Sequence, residues 1–115
     1  MEVENKIYSI AEMKERDIFT ADYRFMDTPC TVVGTLVLKA QARGNMLRLF
    51  FRLEDGSKII TVVYWWQKYL GFYEQPVGAT FLLRYVKNNK GGIHLDSAET
   101  VDRSMGNAMV QEQRA

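Results

Sequence analysis

The stretch from Thr31 to Trp66, TVVGTLVLKAQARGNMLRLFFRLEDGSKIITVVYWW, constrains the fold more than any other part of the chain. Three runs rich in Val, Ile, Leu, Thr, Phe and Tyr follow one another, and these residue types suit a pleated surface. Two tight-turn signals separate the runs, Arg43-Gly44-Asn45 and Glu54-Asp55-Gly56-Ser57. Gly, Asn and Asp take positive φ at low cost. The simplest reading is a three-stranded antiparallel meander, which the rest of the chain has to cover or close.

A chain of 115 residues supports one domain with one core. Its hydrophobic and charged fractions, 47% and 25%, are those of a folded globular protein and argue against disorder throughout. No apolar run approaches the roughly 20 residues a bilayer-spanning helix needs, so no membrane role is expected. Met-Glu-Val-Glu-Asn-Lys at the start lacks the basic-then-apolar order of a secretory signal, and a cytoplasmic protein is expected. Cys30 and His94 are the only cysteine and histidine. Together they make neither an internal disulfide nor a four-ligand zinc site, so neither metal nor cofactor is expected.

Charge is unevenly spread. Residues 1–30 carry four basic and seven acidic side chains, residues 31–101 nine basic and five acidic, and residues 102–115 two of each. The strand-rich part is therefore mildly basic, which permits an anionic partner without requiring one.

Along the chain, residues 1–30 read as a lead-in. Ser9 with Glu12 three residues on is a capping box for a short helix from about Ile10 to Arg16. Thr20 to Pro29 reads as a connector or irregular strand. The first main strand is expected over Thr31–Ala42, with Gly34 marking a bulge or bend that lets one long strand pair at both of its ends. The second, Met46–Glu54, has a clean period of two. Leu47, Leu49, Phe51 and Leu53 fall on a core face, while Met46, Arg48, Phe50 and Arg52 fall on the other. The third runs over Lys58–Tyr64, both of its faces apolar, leaving open which of Trp65 and Trp66 is buried.

Trp66, Tyr69, Leu70 and Tyr73 then stand at the spacing of an amphipathic helix, interrupted by Gly71 and stopped by Pro76. This stripe is expected to pack as core at one end of the sheet. Strand four is expected over Ala79–Val86, with Phe81, Leu83 and Tyr85 on one face. A lysine-bearing hairpin, Lys87 to Gly92, leads to strand five over Ile93–Val101. Residues 102–115 read as a polar tail.

Three strands, a helix and two strands, joined by short connections, is the order of the OB-fold, a five-stranded Greek-key barrel with a helix between strands three and four. The expected fold is thus all-β with short helices: residues 31–101 form the barrel, and residues 1–30 and 102–115 flank it. In that fold, strands two and three and the 1–2 and 4–5 loops form the usual binding surface. Here those parts carry Arg48, Phe50 and Arg52, the loop at Arg43, and the loop with Lys87 and Lys90.

TVVGTLVLKAQ followed by LRLFFRLEDGSKIITVVYWW also resembles the nucleic-acid-binding OB domains of the replication protein A and anticodon-binding kind. Gly34 matches their first-strand glycine and Leu53-Glu54-Asp55-Gly56 their turn before strand three. Trp65 or Trp66 matches a tryptophan common at the end of that strand, and IYSIAEMKERD resembles their lead-in. The resemblance covers about residues 7–101. It implies binding of single-stranded DNA or RNA without catalysis. Lys39, Arg43, Arg48, Arg52, Arg84, Lys87 and Lys90 would meet phosphates, while Phe50 with Tyr64 or Trp65 would stack on bases.

The competing expectation is a protein-interaction OB module, a subunit, adaptor or homodimer that uses the same surface. An enzyme is not expected. Lys90-Gly91-Gly92 lacks the spacing of a phosphate loop, and Glu54-Asp55, adjacent on a strand, point to opposite faces.

Overall fold

The structure, a computed structural model, describes residues 6–15 and 22–101. The expected tail, the expected helix end at Arg16 and the first residues of the expected connector, Thr20 and Ala21, lie outside them. Among the described residues there are seven strands, β1 (Ile7–Tyr8), β2 (Tyr23–Phe25), β3 (Cys30–Ala42), β4 (Met46–Leu53), β5 (Lys58–Val63), β6 (Thr80–Lys87) and β7 (Ile93–Val101), with one α-helix, α1 (Ile10–Lys14). Short 3-10 helices cover Arg43–Asn45 and Trp65–Leu70. The protein is all-β with short helices, and no described helix is long and apolar enough to cross a membrane.

The strands form a single sheet in the order β2-β5-β4-β3-β6-β7. β3, β4 and β5 are the antiparallel meander expected from the sequence, and β6 and β7 form the second hairpin. Two strands come from the lead-in: β2 pairs in parallel with the free side of β5, and β1 pairs in parallel with Lys39 and Ala40 of β3. The ladder is open. β7 comes close to β5 without pairing to it, so the sheet curls around its inner face.

β3 pairs at both of its ends, as its length suggested. Residues 30–35 ladder with β6 and residues 34–42 with β4. The irregularity is not at Gly34 but between Leu36 and Leu38. Gly34 pairs in register with both neighbours, Leu53 and Phe81, and is closely packed: a Cβ there would lie 3.1 Å from Leu53 Cδ2 and 3.2 Å from Phe51 Cβ. One extra residue in a strand reverses the faces of everything beyond it. Leu36, opposite Phe51, therefore faces the inner core, whereas Leu38, opposite Phe50, faces outward.

The inner core contains Leu36, Leu47, Leu49, Phe51, Ile59, Val63, Phe81, Leu83, Tyr85 and Leu95. Phe72, from the segment between β5 and β6, plugs it, with its ring 5.0 Å from that of Phe81 and 6.0 Å from that of Phe51. A second cluster lies on the outer face, where Met13 of α1 covers Leu38, Ala40, Phe50 and Ile60, with Tyr8 and Tyr23 packed alongside.

α1 ends at Lys14, but its cap is as expected. Ser9 Oγ accepts from Glu12 N at 3.1 Å, and Glu12 Oε1 accepts from Ser9 N at 2.8 Å. The amphipathic helix expected over 66–75 is replaced by the shorter 3-10 turn, which stops where Gly71 takes a left-handed conformation (φ 74°). The buried side chain of that turn is Gln67. Its amide donates to Leu95 O (2.6 Å) and its carbonyl accepts from Tyr64 N (3.2 Å), tying the turn to β7.

Candidate nucleic-acid interface

The β3–β4 turn begins one side of the site. Gly44 (φ 72°) and Asn45 (φ 62°) are both left-handed, which reverses the chain in three residues and leaves Arg43 exposed. Facing this turn is the 3-10 helix. Trp65 and Lys68 of that helix line a groove of about 920 Å³ together with Arg43, Asn45, Met46, Tyr73, Glu74 and residues of β1 and α1.

The aromatic residues here are exposed to an unusual degree: Trp65 62%, Trp66 50% and Tyr69 68%. Trp66 lies flat on Tyr64, centroids 5.8 Å apart and planes within 3°. Its other neighbour is His94, edge-on at 6.3 Å. His94 pairs with Val86 next to the β6–β7 hairpin, which carries exposed Lys87 and Lys90. That hairpin is held by Asn88, whose Oδ1 accepts from Lys90 N (2.8 Å) and Gly92 N (2.9 Å). Trp65 thus lies beside Arg43 and Lys68 at the groove, while Tyr64 and Trp66 run towards His94 and the hairpin with Lys87 and Lys90.

Arg43, Tyr64, Trp65, Lys87 and Lys90 of the sequence-based set are exposed in this region. Two others require correction. Phe50 is fully buried rather than presented between arginines, because α1 and Tyr23 cover the outer face of β4, with the Tyr23 ring 4.9 Å away. Lys39 is also fully buried. The bulge turns it inward, where its ammonium donates to the carbonyls of Gln75 (2.6 Å), Phe72 (3.3 Å) and Tyr73 (3.5 Å). Burial pushes its pKa down, and the Glu74 carboxylate partly offsets this.

Arg48 is half-buried on the covered face, opposite Ala40 and Val62. Arg52 is exposed but sits six residues along β4 from Met46, about 20 Å from the groove. It lies opposite Lys58. Arg84 is exposed on β6, between Thr31 and Ser97 of the neighbouring strands.

Sequence reasoning assigned Trp66 and Tyr69 to the core and passed over Lys68. Gly71 was the available signal: a glycine that ends the helix after six residues leaves the first turn at the rim of the core.

Comparison of the chain with known protein families, with curated proteins and with solved structures found no match.

Proposed function

We propose that this chain is a non-catalytic single-stranded nucleic-acid-binding protein of the OB-fold type. The strand order supports the fold assignment. β3 to β7 taken alone run β5-β4-β3-β6-β7, the order of the five OB strands, with the long first strand shared between both hairpins. β1 and β2 are then additions from the lead-in, and the segment at 65–75 stands where that fold has its helix.

One observation carries the functional reading: exposed Tyr64, Trp65 and Trp66 run from the groove with Arg43 to His94 beside the hairpin with Lys87 and Lys90. Aromatic faces stack on bases of any sequence, and flanking cations track the phosphates. With the outer face of β4 covered by α1, the binding surface shifts from mid-sheet to this end. The two loops are those expected to bind in an OB-fold.

The test is fluorescence anisotropy with a labelled single-stranded DNA of about twenty nucleotides at two salt concentrations. Binding that weakens with salt and is lost in Trp65→Ala supports the reading. Absence of binding at low salt sinks it.

A second reading, a protein-interaction module within a larger complex, would use the exposed aromatic side chains Tyr64, Trp65, Trp66 and Tyr69 of one short segment as its apolar contact surface.

A further inference from the structure

Glu74 lines the groove beside Trp65, among Arg43 and Lys68. Its charge partly offsets the burial of the Lys39 ammonium, and the residue is also exposed. A carboxylate there repels a phosphate, but its chemistry suits a base.

An ionised carboxylate accepts two parallel hydrogen bonds in one plane. Among the Watson–Crick edges of the bases, guanine alone offers two adjacent donors, N1–H and the 2-amino group. Cytosine and adenine offer an amino group beside an acceptor, and thymine and uracil one donor between two acceptors. The groove volume, about 920 Å³, falls within the range of clefts that enclose small ligands, about 300–1,000 Å³. Trp65 supplies a stacking face, and single-stranded bases are read by such stacking together with their Watson–Crick edges. Arg43 and Lys68 supply charge for the attached phosphates.

We infer that the groove takes a single guanine of the bound strand and that Glu74 selects it; the inference rests on the single-strand reading above. Glu74 is a specificity-determining residue here. Its carboxylate accepts from N1–H and the 2-amino group while Trp65 stacks on the ring.

The full chain is titrated with four labelled nine-nucleotide strands: all-thymidine, and the same strand with guanine, adenine or hypoxanthine at the centre. The guanine strand is expected to bind about tenfold more tightly than the thymidine strand, a typical margin for one bidentate contact. Adenine, which stacks as a purine but lacks the donor pair, should give little of this gain. Hypoxanthine, which keeps N1–H and lacks the 2-amino group, should give part of it. Glu74→Gln should bind the thymidine strand at least as well as the wild type and lose the guanine margin. Equal binding of guanine and adenine strands, or a margin that survives Glu74→Gln, overturns the inference while leaving the single-strand reading intact. No binding of any strand overturns both.

Discussion

Trp66 stands edge-on to His94, ring centroids 6.3 Å apart and planes inclined at 64°. This contact joins the aromatic turn after β5 to the strand that leaves the lysine hairpin. It places exposed aromatic rings and the hairpin with Lys87 and Lys90 on the same rim. Trp66 is half exposed and lies outside both hydrophobic clusters, so its ring is available without unfolding anything. Trp66→Ala is expected to weaken single-strand binding by about 1–3 kcal/mol, the usual contribution of one stacked base. Its denaturant midpoint should fall only modestly, since the ring lies outside the core and loses its contacts with Tyr64 and His94, each an aromatic pair of about 0.5–1.5 kcal/mol. Anisotropy and urea titration measured together check both halves.

Phe50 makes the opposite prediction. It is fully buried beneath Met13 and beside the Tyr23 ring. Phe50→Ala should cost about 3–5 kcal/mol of stability, as for other buried Phe truncations. Affinity per folded molecule should be unchanged. Loss of affinity with stability intact would return Phe50 to the binding face.

Much of the strand pattern was legible because β4 and β6 keep a strict period of two, and their inward residues, Leu47, Leu49, Phe51, Phe81, Leu83 and Tyr85, are those found in the core. The Ser9–Glu12 cap was legible because both partners lie within one turn. The bulge beside Leu36 was not. Nothing in TVVGTLVLKA distinguishes a bulge at Val37 from a bend at Gly34, and that single residue decides whether Lys39 faces solvent or the core. Nor was the cover over Phe50 legible. It depends on α1 and β2 folding back onto the sheet, a long-range event that local periodicity does not encode. The polar neighbours of Phe50, Arg48 and Arg52, made its face read as open.

Lys39 gives a prediction with a sign that depends on pH. Its ammonium supplies donors to three carbonyls of the plug segment that holds Phe72 in the core. Lys39→Met leaves those carbonyls without that donor and should destabilise by about 1–3 kcal/mol near neutral pH. Burial lowers the folded-state pKa below the ordinary 10.5. Between those two values the unfolded chain binds more protons than the folded one, so this group makes stability rise with pH in that window. The gap between wild type and Lys39→Met should therefore widen as pH rises through it, measured as the difference in urea midpoints. A gap that narrows would contradict the assignment.

Gly34 tests the close packing of β3 against β4. Its φ is not in the left-handed region, so strain does not exclude a side chain; space does. A methyl group would press on Leu53 Cδ2 at 3.1 Å and on Phe51 Cβ at 3.2 Å. Leu53 can give a little, but Phe51 is fixed by Phe72 and Phe81. Gly34→Ala should destabilise by about 1–3 kcal/mol, the usual cost of overpacking. Enlarging an exposed glycine with nothing near it, such as Gly56, tests something else, since its φ of 91° makes the cost one of backbone strain.

The lead-in provides the last prediction. Glu12 caps α1 through Ser9 N and pairs with Lys6 Nζ at 2.8 Å. The Lys6 ammonium first, then the Ser9 N–H, hold its carboxyl at about 2, against an ordinary value of 4.5. A carboxylate whose folded pKa is depressed binds fewer protons in the folded state. Its contribution is complete above about 4.5 and is lost as pH falls through that value towards about 2. Because α1 carries Met13, which covers Phe50, the loss should appear first as uncovering of the outer cluster. Amide hydrogen exchange at Met13, whose N–H bonds to Ser9 O, should therefore accelerate between pH 4.5 and 2 more than exchange in β6, after correction for intrinsic rates. In Glu12→Gln, the amide at Met13 should already exchange faster at pH 6 and lose that extra pH dependence. If wild type and Glu12→Gln follow the same profile, the cap does not hold the lead-in on the sheet.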